Sequence, residues 1–413
     1  MLNPDETRQT DLRTGRGPWT PRYIRPSGTA LEADIACDVA IIGGGITGAL
    51  LAQHLSALDH KVVVVDRERE GFGSTAASTA MLQWEIDLSL RDLTALYGFD
   101  AAADVYRRSF RAVAGLGDLV ARLQLDCGFA TRDTVYLAAG EIGPRELADE
   151  HALRQRAGLP GELIDHATLL GSFGFDRAAA IVSPGSAEAD PLSLCHAMLT
   201  QAAMHGARLV RDEVVNFDGT AARAAVQLAG GRVIEANHVV LATGYVMPDC
   251  VQSDLHRVAS SWAIATEPQA PQALWPGPAL VWEASEDYNY CRTTTDGRII
   301  FGGEDEACDD PVERTRLGPQ KAQALLDKLT ALLPRAERTL GFAWSGAFSV
   351  TSDGLPLIGR VPGQPRMLAA YGYGGNGITF SFMASRVIAS LIGGVEAPWF
   401  RHFVLDRPDP TKP

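Results

Sequence analysis

From Cys37 the apolar positions fall into a strand-length run, Asp38–Ile42, then a glycine turn, a helically spaced stretch over Ile46–Leu58, and a second strand-length run over Lys61–Asp66. Short apolar runs bounded by breakers read as buried strands, and the 3.6-residue spacing between them reads as the crossover helix of a βαβ unit. Leu50, Leu51, His54, Leu55 and Leu58 share one face of that helix. Downstream, the pattern predicts helices over Leu88–Leu125 and Leu192–His205, then strands over Arg208–Val215, Val226–Leu228 and His238–Leu241. A proline-rich loop, Glu267–Pro278, precedes strands over Leu280–Trp282, Tyr288–Thr293 and Arg298–Phe301. Amphipathic spacing then gives helices over Pro319–Leu333 and Ile378–Ile392, the second ending at Gly393-Gly394, a C-cap signal. Met1–Leu31 is rich in Pro, Arg, Thr and Gly without periodicity and reads as an irregular arm. The class is α/β.

Composition narrows the partners. The 413 residues are 46% hydrophobic and 21% charged, enough for a sizeable core and more than one domain. A formal charge of −13 argues against nucleic-acid or anionic-membrane binding, which needs basic patches, and makes a small molecule the expected partner. Six scattered cysteines show neither metal-ligand spacing nor a disulfide framework and read as reduced core thiols. Met1–Gly17 is polar and no long apolar run follows, so the expectation is a cytoplasmic protein without membrane insertion.

The turn in the βαβ unit is Gly43-Gly44-Gly45-Ile46-Thr47-Gly48, a GxGxxG between strand and helix, with Asp66 ending the next strand 18 residues beyond Gly48. Gly43 permits the tight turn, Gly45 lets a pyrophosphate approach the backbone, and Gly48 lets helix and strand pack. The helix N-terminus offers N–H groups and positive partial charge to phosphates. The acid at the strand end suits ribose hydroxyls rather than a 2′-phosphate. That combination points to NAD or FAD.

The next segment, Gly73-Ser74-Thr75-Ala76-Ala77-Ser78-Thr79-Ala80, is small and hydroxyl-rich, able to lie flat against a large ligand. With Gly43–Asp66 it resembles the FAD-binding start of the D-amino-acid-oxidase (glycine oxidase/sarcosine oxidase-like) family. Two later stretches resemble the same family. The first is His238–Leu241 running into Ala242-Thr243-Gly244, preceded by Val214. The second is Trp344-Ser345-Gly346, then Asp353, then Tyr371-Gly372-Tyr373-Gly374-Gly375-Asn376-Gly377-Ile378-Thr379. Four glycines at the start of the last helix also aim unpaired N–H groups at whatever faces it.

The resemblance implies a Rossmann-like, glutathione-reductase-like FAD-binding domain plus a substrate domain with an antiparallel sheet. The first is assembled from residues 37–95, 185–255 and 338–413, the second from 96–184 and 256–337, with 1–36 as the arm. It implies cofactor contacts at Gly43, Gly45, Ile46, Thr47, Gly48, Asp66, Arg67, Ser74, Thr75, Ser78, Thr79 and Met81. Further contacts are implied at Val214, Ala242, Thr243, Gly244, Gly346, Asp353, Gly374, Gly375, Asn376, Gly377, Ile378 and Thr379. The implied reaction is oxidation of a C–N bond, with hydride passing to flavin N5 and oxygen or an electron carrier as final acceptor.

Departures from the family pattern sharpen this. Ala347 and Phe348 follow Gly346 and no histidine lies between Gly71 and Asp100, so the attachment points of covalent FAD are missing and a dissociable cofactor is expected. Glycine-oxidase-like members carry carboxylate-gripping arginines where this chain has Phe348 and Gly375. A simple α-amino acid is disfavoured, a polyamine derivative, secondary amine or larger N-substituted substrate is expected instead, and the pattern is nearest to members resembling gamma-glutamylputrescine oxidoreductase. By alignment Ile300 replaces the lysine that sarcosine-oxidase-like members use toward oxygen. Tyr288, Tyr290 and Arg292 are the substrate-pocket candidates. The tyrosines share a strand face that either lines a pocket or packs the sheet, and Arg292 either meets a substrate carboxylate or turns to water, Glu304 or Asp305. An NAD-linked dehydrogenase and a non-catalytic flavin-binding subunit are the alternative readings.

Overall fold

The computed structural model describes residues 12–20, 22–251 and 253–412. Two sheets organise them. The first runs in the order Leu357–Val361, Gln364–Tyr371, Val233–Leu241, Ile35–Ile42, Val62–Asp66, Arg208–Arg211, and the last five of these strands are parallel. Val214–Asp218 and Ala224–Leu228 pair antiparallel beside the N-terminal half of Val233–Leu241. Helices Ile46–Ser56, Pro191–Met204 and Gly377–Ile392 pack together on one face. This enclosure buries the first helix almost all round, which is why its sequence shows little amphipathic contrast. Leu58 lies past the helix end and is 52% exposed.

The second sheet runs Arg13–Gly15, Leu340–Thr351, His256–Thr266, Ile299–Glu306, Tyr290–Thr293, Leu280–Ala284, Ala130–Ala138, Ala179–Glu188, Met81–Leu82. Its neighbours are antiparallel except Leu280–Ala284 with Ala130–Ala138, which run parallel. Leu340–Thr351, grouped by sequence with the cofactor-binding segments, is a central partner of His256–Thr266 here.

Local physics explains where the elements differ from the periodicity. The helix expected over Leu88–Leu125 is two, Leu90–Tyr97 and Phe99–Arg122, broken at Gly98, whose φ of 78° ends the first helix. The helix expected from Pro319 starts at Pro311. Asp310 accepts the Val312 N–H at 2.8 Å and Pro311 occupies the first turn, so the capped start outweighs the proline inside. The arm is not wholly irregular, since Arg13–Gly15 pairs with Trp344–Gly346; a three-residue strand is too short to show a period and takes its order from the partner edge. Arg208–Val215 divides into Arg208–Arg211 and the start of Val214–Asp218. Four of the six cysteines are buried, but Cys250 is exposed and Cys308 partly so. Among the described residues no helix is long and apolar enough to cross a membrane.

Candidate functional site

Strands Ile35–Ile42, Val62–Asp66, Val233–Leu241 and Gln364–Tyr371 all point their carboxyl ends toward one region, and the loops that leave them line a cavity of about 470 Å³. Crevices at the carboxyl ends of parallel strands are where this architecture binds ligands. At Gly43, φ is +111° and an added Cβ would stand 2.3 Å from the Ala242 carbonyl oxygen, so only glycine makes this turn. A Cβ on Gly48 would stand 1.9 Å from the Gly43 carbonyl oxygen. Gly48 therefore acts by close packing and does not itself line the cavity, a correction to its expected cofactor contact.

Helix Ile46–Ser56 starts at Gly45 with no side-chain cap, and Gly45, Ile46 and Thr47 line the cavity. Asp66 sits beside them, its carboxylate accepting the Gly44 N–H at 2.6 Å and the Glu68 N–H at 2.8 Å. Burial pushes its pKa up to about 6 against those two bonds, with Glu70 and Glu68 adding to the rise. The hydroxyl-rich segment follows: Thr75 Oγ1 accepts the Ile46 N–H at 3.0 Å, and the buried Ser74 hydroxyl has no partner among the described residues. Ser74, Thr75, Ser78, Thr79 and Met81 line the cavity, as do Arg67, Val214, Ala242, Thr243 and Gly244. An uncapped helix start, an orphaned hydroxyl and a carboxylate at the strand end form a set that fits a diphosphate and a ribose.

The Trp344-Ser345-Gly346 block braces this segment. Trp344 Nε1 donates to the Ala77 carbonyl at 2.8 Å, and a Cβ on Gly346 would come within 2.8 Å of Ala77 Cβ. On the other side, Gly374, Gly375, Gly377 and Ile378 open the last helix, which again lacks a side-chain cap, and line the cavity. Asn376 and Thr379 do not. The Asn376 amide donates to the Glu85 carbonyl at 2.8 Å and the Thr379 hydroxyl to the Gln83 carbonyl at 2.9 Å, so they clamp the 83–85 backbone to the helix start. Thr47 and Ser381 hydroxyls meet at 2.7 Å and tie the first helix to the last.

Two further expected contacts are corrected. Asp353 is buried away from the cavity, gripped by Arg407 at 2.7 and 2.9 Å and by the Tyr97 hydroxyl at 2.6 Å. Arg292 is also buried and does not reach the cavity. Its guanidinium donates to the Ala80 carbonyl at 2.8 Å and the Ala189 carbonyl at 3.2 Å, and it faces Glu188 at 3.3 Å rather than Glu304 or Asp305. Ala80 has φ +52°, and the carbonyls around this turn take a buried cation as their donor. Tyr288 and Tyr290 both line the cavity, their rings 6.0 Å apart. Ile300 is buried and does not. Cys195 and His196 are core groups: His196 Nε2 meets the Glu70 carbonyl at 3.1 Å, while burial pushes the thiol pKa up and the imidazole down.

Sequence reasoning missed Asp87, Trp282 and Asp305, all at the cavity wall. Asp87 accepts the Gly375 N–H at 2.6 Å, and the Tyr288 hydroxyl lies 3.4 Å from the same carboxylate. Its only signal in the sequence was the glycine pair, whose close backbone implies an acceptor in front of it.

The family model for FAD-dependent oxidoreductases (DAO) matches residues 38–391. The chain belongs to that family. A curated relative, gamma-glutamylputrescine oxidoreductase of Escherichia coli (strain K12), is 25% identical over 374 residues, covering 88% of this chain and 85% of the relative. The crystal structure of glycine oxidase from Geobacillus kaustophilus matches with a TM-score of 0.76 at 22% identity, over 91% of this chain and 99% of that one. L-proline dehydrogenase from P. horikoshii matches with a TM-score of 0.73 at 20% identity, over 91% and 98%. The family uses FAD, which removes the NAD-linked reading. The chain is an FAD-dependent amine or amino-acid oxidoreductase.

Proposed function

We propose that this member oxidises the C–N bond of an amine using dissociable FAD. The observation that carries the reading is the cavity itself, which joins the dinucleotide-fitting turn to the aromatic wall of Trp282, Tyr288 and Tyr290. Bound FAD supplies a two-electron hydride acceptor. The substrate loses hydride from the carbon next to nitrogen and a proton from nitrogen, and water converts the resulting imine to a carbonyl compound and an amine.

The residues of this chain bear on that chemistry in three ways. Trp282, Phe348 and Ile378 give the cavity apolar walls that favour a neutral reacting amine and exclude water. Burial holds the hydroxyl pKa values of Tyr288 and Tyr290 above the usual range, so both stay protonated and serve as hydrogen-bonding groups rather than bases. The uncapped start of Gly377–Ile392 presents amide N–H groups and positive partial charge to the cavity, favouring negative charge gained there on reduction. Dissociable cofactor accords with a lining that, among the described residues, contains neither cysteine nor histidine. Oxygen or a carrier protein reoxidises the cofactor.

The test is the visible spectrum of the purified protein, followed by acid denaturation and anaerobic addition of an amine panel. Flavin bands that pass to the supernatant and bleach with one amine class are expected. Flavin that no amine or amino acid reduces would refute the proposed reaction.

A further inference from the structure

We propose that Arg292 and Trp19 of the N-terminal arm are positioning residues for the cofactor. Together they hold the 78–80 turn, and with it one wall of the cavity, in the shape that FAD binds. This reading rests on FAD occupying the cavity and not on which amine is oxidised.

The turn cannot satisfy its own backbone. Residues 78–80 join helix Ser74–Ala77 to strand Met81–Leu82 and belong to neither. Four consecutive carbonyls instead take side-chain donors from three distant elements. Trp344 Nε1 donates to Ala77 at 2.8 Å and Trp19 Nε1 to Ser78 at 2.9 Å. Arg292 Nη1 donates to Thr79 at 3.3 Å and to Ala80 at 2.8 Å. Arg13 extends the pattern to the start of the segment, its Nε donating to the Phe72 carbonyl at 2.7 Å.

Buried carbonyls need donors wherever they lie, but the shape of this turn asks for more. Ala80 is 2% exposed and has φ +52°, a left-handed conformation that an alanine keeps only where its surroundings over-determine it. Such positions gather at ligand sites, and this one faces a site. Ser78, Thr79, Ala80 and Met81 line the cavity, whereas Trp19 and Arg292 do not. The donors stand behind the turn and the cavity lies in front of it.

The two donors form one unit. The Arg292 guanidinium carbon is 5.5 Å from the centre of the Trp19 ring, and Trp19 packs with Ala76 and Trp344 in a single buried cluster. Glu188 faces the guanidinium at 3.3 Å and is itself held by Arg132 at 2.6 Å. Strand Met81–Leu82, which leaves the turn, pairs with Glu188 and Ala187, so the ion pair and the strand pairing fix the same end. Tyr290, two residues before Arg292 on the same strand face, lines the cavity. The arm meets the same wall, since Leu12 lines the cavity and its carbonyl accepts the Ala347 N–H at 2.8 Å. A turn held ready in this way needs no reordering when its ligand arrives. Without the donors it relaxes in the apoprotein, and the loss appears in the binding step.

The experiment compares Trp19→Phe, Arg292→Lys and the double variant with the native chain. Apoprotein is titrated with FAD by flavin fluorescence, the bound flavin is examined by visible circular dichroism, and melting is followed with and without FAD. Trp19→Phe keeps a ring on Arg292 and removes only the Ser78 donor, so FAD should bind roughly two- to tenfold more weakly, the effect of one neutral hydrogen bond. Lysine keeps the charge beside Glu188 but loses the planar fork, and Arg292→Lys should weaken FAD roughly ten- to a hundredfold. The double variant should lose less than the product of the single losses, because both act on one turn. The dichroism of the bound flavin should change, and melting of the FAD-loaded protein should fall more than that of the apoprotein. Equal falls in both melting temperatures, with affinity and dichroism unaltered, would mean that the donors only satisfy buried carbonyls and overturns the inference. Strictly multiplicative losses overturn the joint action of the pair. Should Arg292→Lys fail to fold, Trp19→Phe decides by itself. Native protein that takes up no FAD removes this inference and the amine-oxidation reading together, whereas native uptake with unaltered variants overturns the inference and leaves that reading standing.

Discussion

Asp66→Asn tests the cofactor cradle at the point where structure and pH bear on it together. The native carboxylate accepts the Gly44 and Glu68 amides at 2.6 and 2.8 Å and has lone pairs left for ribose hydroxyls. An asparagine offers one oxygen, so either an amide or a hydroxyl loses its acceptor, and the NH₂ faces donors. Hydrogen bonds to a charged group contribute about 1.5–3 kcal/mol each against about 1 for neutral pairs, so the variant should lose about 2–4 kcal/mol of FAD affinity, roughly thirtyfold to nearly a thousandfold. The native pH dependence has a definite sign. The carboxyl pKa is raised to about 6 in the fold, so apoprotein stability linked to this group is fullest below the ordinary carboxylate range and is lost as pH rises through 6. FAD affinity runs the other way, because ribose hydroxyls donate to the ionised form. It should weaken by about tenfold per pH unit below 6. Apoprotein titrated with FAD by flavin fluorescence from pH 5 to 8 measures both. A native affinity that is flat across this range, or a variant that keeps the full slope, would refute the assignment of Asp66 to the ribose.

Three further outcomes follow from single contacts. Gly48→Ala places a methyl group 1.9 Å from the Gly43 carbonyl oxygen, a backbone atom, and should cost about 1–3 kcal/mol or more of stability with loss of bound flavin, read by thermal melting and the absorption spectrum. Asp353→Asn leaves the buried Arg407 without its counter-charge and should lower stability by about 3–5 kcal/mol while the isolated folded protein still binds FAD, since Asp353 lies off the cavity. Burial would raise the Asp353 pKa, but the Arg407 bonds hold it low, so this stabilisation is present above the ordinary carboxylate range and lost on acidification. Asn376→Ala removes the clamp on the Gln83 and Glu85 carbonyls and should raise substrate KM more than it lowers flavin content, as Asp87 is released from its place before Gly375.

What the sequence made legible was whatever it encodes locally. The Gly43–Gly48 turn, its helix and Asp66 could be read because Gly43 and Gly48 answer contacts within the same βαβ unit or at the end of the strand beside it. The second sheet was much less visible. Ala130–Ala138, Ala179–Glu188 and His256–Thr266 were not read as strands, because their faces are decided by partners in other segments of the chain rather than by a clean alternation. The three-residue Arg13–Gly15 strand has no pattern of its own and exists because Leu340–Thr351 leaves an edge for it.

The same distinction explains the site. Where the motif is a backbone shape its residues line the cavity, as Gly374, Gly375 and Gly377 do. Where the motif residue is a side chain with several possible partners, spacing cannot say which one it takes. Asp353 took Arg407, Arg292 took Glu188 and four carbonyls, and Asn376 took the backbone of Gln83 and Glu85. These buried polar groups are committed by the requirement that buried charges and amides be satisfied, and their commitment leaves the cavity wall to residues outside any motif. Asp87 and Asp305 are the outcome: two carboxylates, far apart in sequence, brought to one surface by the turn before the last helix and the end of a strand. The cavity wall of this chain is therefore written less in the family's motif than in the non-motif residues facing it.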